Sequence, residues 1–279
     1  MSLRYPGGLV RKTPLTLDPA LGNAANGVFK LSEAMTAVKN GTWPAYDPYF
    51  ENTTLLLHGD GTNGAQNNTF LDSSTNNFTI TRNGNTTQGT FSPFSQTGWS
   101  NYFDGSGDYL DMAPGAIGTG DFTLECWVYF NSLASNQGVL DTRDNSNTNG
   151  FALTGRSTGE ISMADGTSLI GTAASISANT WIHVAASRAS GVLSFYVNGT
   201  RSGSTLANTT NFSNNRLRAG AIGSAGENFA GYISNARLLN SAIYSGTTIT
   251  VPSSPFSDDA NTTALFCQSN RFVDNATPP

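Results

Sequence analysis

Asp104-Gly-Ser-Gly-Asp108-Tyr-Leu-Asp111 places three carboxylates in one Gly-rich stretch of the 279-residue chain. Calcium takes roughly six to eight such oxygens, often from flexible loops, which makes Asp104, Asp108 and Asp111 the candidate metal ligands. The same residues also spell a tight turn, with glycines supplying positive φ and aspartates accepting from their own backbone. The turn is the better account. A second polar loop, Asp141-Thr-Arg-Asp-Asn-Ser-Asn-Thr-Asn149, offers Asp141, Arg143 and Asp144 as the rim of a ligand site, against the plainer reading of a solvated hairpin loop. Trp99 and Tyr102 could stack on the C–H face of a sugar ring, although aromatics in a sandwich mostly fill the core.

Catalytic chemistry finds less footing. The two histidines, His58 and His183, have no nucleophile motif beside them, and His183 inside Trp181-Ile-His-Val reads as a packed side chain. No Cys-x-x-Cys, His-Glu-x-x-His or phosphate-binding loop occurs. The chain reads as non-enzymatic, with no cofactor beyond that calcium.

Only 12% of residues are charged, about half the usual share, while 38% are hydrophobic and 10% aromatic. Strand formers broken by Gly, Asn and Ser clusters imply an all-β fold. The net charge is −5 and no basic run could neutralise phosphates, which argues against nucleic acid as a partner. No run approaches the roughly 18 apolar residues of a membrane span, and residues 1–10 lack the apolar region of a secretory signal. Cys126 and Cys267 make no disulfide framework and read as two buried thiols.

Two segments follow from composition. Residues 1–50 contain every lysine of the chain and, over 1–27, a Pro/Gly-rich stretch that reads as an extended arm. Leu31, Ala34, Met35 and Val38 then fall on one face of a short helix, capped by Ser32 and stopped at Asn40-Gly41. A helix this short is marginal alone, so residues 1–50 are expected to anchor the chain to a partner or a second copy through Tyr5, Val28, Phe29, Leu31, Met35, Val38 and Trp43. Strands dominate residues 51–279. Phe122, Leu124, Cys126, Val128 and Phe130 share one face of a nine-residue run, opposite Thr123, Glu125, Trp127 and Tyr129. Val192–Val197 runs into Asn198-Gly199, a strong hairpin signal. Asn52-Thr-Thr-Leu-Leu-Leu57 is echoed by Asn261-Thr-Thr-Ala-Leu-Phe266, which predicts a last strand returning beside the first and limiting exposed edges.

Asp121-Phe-Thr-Leu-Glu-Cys-Trp-Val128, Trp181-Ile-His-Val-Ala185, Leu193-Ser-Phe-Tyr-Val-Asn-Gly199 and Gly231-Tyr-Ile-Ser-Asn-Ala-Arg-Leu238 together resemble the laminin-G-like, concanavalin A-like jelly-roll family. The resemblance covers about residues 51–260 and implies an all-β jelly-roll sandwich preceded by the arm and helix. Some glucanases of this fold carry Glu-x-Asp-x-Glu or Glu-x-Asp-x-x-Glu on one strand, and none of Glu33, Glu51, Glu125, Glu160 and Glu227 has that spacing. Asn26–Glu33, Gly41–Pro44, Leu55–Gly61 and Phe266–Asp274 are similar to stretches in structural proteins of marine tailed phages, especially cyanophages. That likeness implies a virion surface protein, a tail or head fibre or a capsid decoration. Its partners would be other capsid or tail proteins, further copies in a homo-oligomer such as a trimer, and host glycans. A low-charge, Asn/Thr/Gly-rich surface without an export signal fits that location. The alternative is a secreted or surface lectin module of a bacterium.

Overall fold

The computed structural model describes residues 56–57, 76, 79–89, 91–94, 99–165 and 169–266, all within the unit Glu51–Phe272. The expected arm, helix and anchor residues Tyr5, Val28, Phe29, Leu31, Met35, Val38 and Trp43 lie outside the described residues, as do His58 and Cys267.

Two sheets face each other. The first runs β1 (Leu56–Leu57), β17 (Thr262–Phe266), β16 (Ala230–Leu239), β6 (Phe122–Phe130), β11 (Trp181–Ala189), β12 (Val192–Val197) and β13 (Thr200–Arg201). To it are joined β3 (Thr87–Gly89), β4 (Ser100–Asp104) against β16, and β14 (Leu206–Ala207) against β12. The second runs β10 (Leu169–Ser175), β9 (Glu160–Ala164), β8 (Ala152–Gly155), β7 (Gln137–Asp141), β15 (Leu217–Ala219), β5 (Tyr109–Met112) and β2 (Thr81–Asn83). Phe122, Leu124, Cys126, Val128 and Phe130 of β6 all enter the core between the sheets, with Ile182, Val184 and Ala186 beside them on β11. The core is the direct product of the two-residue period of those strands.

Local signals hold where turn chemistry dictates them. Asn198 and Gly199 take φ of 46° and 83°, the two positive values that match the turn to the twist of its flanking strands, and β12 returns as β13 with Val197 facing Thr200. The echoed motifs become neighbours: β1 pairs β17 in parallel, Leu56 with Leu265 and Leu57 with Phe266. That register is the one in which the two motifs align. β2 closes the edge of the second sheet, pairing β5 from Thr81 opposite Asp111 to Asn83 opposite Tyr109.

Candidate functional site

The outer face of the first sheet is where the fold departs from an ordinary solvated surface. Thr123, Glu125, Trp127 and Tyr129 point out of β6, yet Glu125 is fully buried. A bulge on β16 contributes. The register against β6 slips between Ser234 and Arg237, and Asn235 sits at φ 48°, so one extra residue is accommodated. Ile233, Ala236 and Leu238 then all face the core, while Arg237 faces outward to Glu125. Glu125 Oε1 accepts from Arg237 Nε (3.1 Å) and Nη2 (2.5 Å), and Oε2 accepts from His183 Nε2 (3.0 Å) and Tyr244 Oη (2.8 Å). The segment after β16 roofs this cluster. Phe256 is 4% exposed, lies under the Arg237 guanidinium and donates its backbone N–H to Asn235 Oδ1. Burial pushes the Glu125 carboxyl up, but the His183 hydrogen bond and the Arg237 charge together outweigh it and hold the group below the ordinary range.

Beyond this roof the same face carries a row of rings. Tyr102 of β4 pairs Tyr232 of β16, Tyr232 pairs Tyr129 of β6, and Tyr129 pairs Trp181 of β11. Four adjacent strands thus present four aromatic side chains at one level, continued on β3 by Thr87 opposite Tyr102. Ring centroids are 4.9 Å apart for Tyr102–Tyr232, 5.9 Å for Tyr232–Tyr129 and 5.6 Å for Tyr129–Trp181, with interplanar angles of 47°, 80° and 59°. All four are partly exposed. Phe91, 43% exposed, rests against Tyr129, Trp181 and Tyr232. Gly231 has φ +155°, and a Cβ there would strike the Tyr129 carbonyl oxygen, so glycine lets β16 close onto β6 beside the row.

The residues singled out in the sequence are distributed differently. Trp99 is 4% exposed, and only its neighbour Tyr102 belongs to the surface row. Asp108 is buried, with Oδ1 accepting from Asn85 N (2.6 Å) and Oδ2 from Asp104 N (2.9 Å). Asp104 accepts from Ser106 N (2.7 Å), so these two aspartates hold a turn. Asp111 lies on the second sheet and forms a two-pronged pair with Arg218 (2.6 and 2.7 Å). Among the described residues, no group of three His, Cys, Asp or Glu side chains is placed to hold a metal ion.

The loop residues Asp141, Arg143 and Asp144 cluster near Asp111 through β15. Arg218 stands cross-strand between Asp111 and Asp141. Asp141 accepts from Arg143 Nε (2.9 Å) and Gly223 N (2.6 Å) and pairs at longer range with Arg216 (3.5 Å). Asp144 accepts from the Thr148 N–H and hydroxyl, Asn149 and Ser146, and the Thr148 bonds foremost hold its carboxyl down at about 2. Three guanidiniums and three carboxylates are therefore spent on one another and on the loop. Arg218 was invisible as a partner because strand pairing, not sequence distance, sets it beside Asp111 and Asp141, and Arg216, just before β15, reaches Asp141 from there.

A family model described as the Concanavalin A-like lectin/glucanases superfamily matches residues 104–250, more than half of the chain. The chain belongs to this superfamily. Among solved structures it is similar to a heptameric SAP-like pentraxin from Limulus polyphemus, at 15% identity over 51% of this chain and 76% of that one, TM-score 0.41. It is also similar to a point mutant of HCR/D, at 14% identity over 70% of this chain and 49% of that one, TM-score 0.50. A third likeness is to domain 4 of the extracellular arabinanase AbnA from Geobacillus stearothermophilus in complex with arabinotriose. There the identity is 18% over 62% of this chain and 87% of that one, TM-score 0.45. At such identities likeness to a structure shows the fold alone, and the chain spans about half the length of the HCR/D mutant. A search of curated proteins gives no match.

The chain departs from the glucanase pattern of the concanavalin A-like fold. The paired acids of the glucanase strand pattern are missing from its sequence. Glu125, which points outward from the central β6, has its acceptor positions filled by four donors of the protein itself and cannot also serve a scissile bond.

Proposed function

We propose that the chain is a non-catalytic carbohydrate-binding module of lectin type. The row Tyr102–Tyr232–Tyr129–Trp181 carries this reading, because flat amphipathic rings held at the surface match the C–H faces and hydroxyl rims of sugars. Such rings are rigid and lose little freedom on binding. The expected result is binding of the full-length chain to a subset of carbohydrates on a glycan array, weak per site and raised by multivalent display. An array blank across all sugar classes would remove the reading.

A second reading adds a location. The likeness of residues 26–44, 55–61 and 266–274 to phage structural proteins supports display on a virion, as a fibre or a capsid decoration, with residues 1–50 as the attachment segment and residues 51–279 facing outward. Copies around a symmetry axis would then supply the multivalency. Mass spectrometry of purified particles should find the chain at a copy number set by that symmetry. Its absence from particles would leave the secreted or surface lectin as the surviving form of the proposal.

A further inference from the structure

Resting on the carbohydrate-binding reading, we propose that the segment Phe91–Phe94 is a built-in competitor for the aromatic row, a strap that must leave before a ligand can occupy the rings. Its two phenylalanines meet two successive outward residues of β6. The Phe91 ring lies 4.9 Å from Tyr129, 5.3 Å from Trp181 and 4.9 Å from Tyr232. Tyr232 and Trp181 belong to the strands on either side of β6, about 9–10 Å apart, so one ring touches both only by spanning Tyr129 between them. The Phe94 ring lies 5.5 Å from Trp127, edge to face. The strap thus follows β6 from Tyr129 to Trp127 and takes the place a ligand would need.

The strap is held less firmly than the roof after β16. That roof is bonded to the sheet by the Tyr244 phenol on Glu125, the Arg237 guanidinium on Ser257 O and the Phe256 N–H on Asn235. Among the described residues, neither Phe91 nor Phe94 makes a hydrogen bond to the sheet. The Phe94 N–H turns back to Ser92 Oγ (3.3 Å), and Pro93 has no N–H to offer. Phe91 keeps 43% of its surface exposed, so the strap gains only part of the burial its ring could supply. Closure also carries a cost. Trp181 Nε1 and Trp127 Nε1, on the two rings the phenylalanines touch, are buried without a hydrogen-bond partner, which works against the closed arrangement. A sugar on the row would offer C–H faces to the rings and oxygens to both indoles, and the phenylalanines offer only the first. Strap and ligand are therefore alternatives for one surface, and the apparent affinity falls with the fraction of molecules in which the strap is closed.

The test compares full-length wild type and Phe91→Ala on a glycan array, then by titration calorimetry and stopped-flow tryptophan fluorescence with the arrayed glycan that gives the strongest signal. With the strap closed in about nine molecules of ten, removing its ring should tighten binding about tenfold. The gain should lie in the association rate and leave the dissociation rate unchanged, because the strap competes before the ligand binds and is absent from the complex. Phe94→Ala should act in the same direction, and serves if Phe91→Ala loses its fold by circular dichroism. Val192→Ala removes an exposed apolar side chain that pairs with Ala189, at the opposite end of β11 from Trp181, and should bind as the wild type does. Equal or weaker binding by the folded phenylalanine variants, or a gain confined to the dissociation rate, would overturn the inference and leave the carbohydrate reading standing. An array blank for wild type and variants alike removes the parent reading as well.

Discussion

Glu125→Ala should cost about 3–5 kcal/mol of stability, the range for removing one partner of a buried ion pair. The carboxylate is fully buried and takes hydrogen bonds from Arg237, His183 and Tyr244. Removing it leaves a guanidinium, an imidazole N–H and a phenol facing one another beneath the roof made by Phe256. Glu125→Gln should be nearly as harmful, because an amide offers one acceptor oxygen and turns a donor toward donors. Urea unfolding followed by tryptophan fluorescence would measure both, with a drop in midpoint and an unchanged slope. The sign of the pH effect follows from the depressed carboxyl. Its contribution is present above the ordinary glutamate range and is lost as pH falls through the lower folded value, so the gap between wild type and Glu125→Gln should narrow in acid. A Gln variant as stable as wild type at neutral pH would refute the assigned role of the cluster.

Arg188→Ala should be at least as severe, about 4–5 kcal/mol or outright failure to fold. Arg188 is completely buried, and its five N–H donors are matched by five hydrogen bonds. Nε and Nη2 reach Gly120 O (2.9 and 2.6 Å), Nη2 also Gly118 O (2.8 Å), and Nη1 reaches Thr210 O (2.7 Å) and Asn208 Oδ1 (3.0 Å). The guanidinium lies between the rings of Phe122 and Phe212, 5.1 and 4.9 Å from their centroids. Burial lowers its pKa, opposed only by the charge of Asp121, so carbonyl dipoles and ring faces do the work of a counter-ion. Truncation would strip the Gly120 and Thr210 carbonyls of these donors, while Gly118 O keeps the Phe212 N–H. Arg188→Lys should not rescue, since an ammonium has three donors and no planar fork. Arg201→Ala, whose side chain makes one exposed bond to Gly246 O, should change stability by less than about 0.5 kcal/mol and serves as the control.

Both residues show where sequence reading stops. The alternation Ile182, Val184, Ala186 on β11 continues to Arg188, so its inward direction was legible, but a charged residue at an inward register gave no hint of the carbonyls waiting for it. Glu125 was correctly placed on the outer face of β6. Its burial depends on Tyr244 and Phe256, more than a hundred residues later, and contact at that separation leaves no local trace. The aromatic row divides in the same way. Tyr129 and Trp127 alternate with core residues in plain view, whereas the alignment of Tyr102, Tyr232 and Trp181 with Tyr129 follows from strand pairing and from a close approach at Gly231.

By itself, the sequence determined what local physics controls. The two-residue period chose strands and their core face, Asn198-Gly199 chose a hairpin, and the repeated Asn-Thr-Thr motifs foretold the pairing of the first and last described strands. Low charge without basic runs argued against nucleic acid as a partner. Tertiary structure decided which polar groups were spent internally and which rings stayed at the surface. Asp111, Asp141 and Arg143 became structural because strands brought Arg216 and Arg218 beside them. Trp99 was drawn into the interior while Tyr102 joined a row with three partners from distant strands. The reason is that a strand fixes which face a side chain takes, but only the order and register of its neighbours fix what that side chain meets.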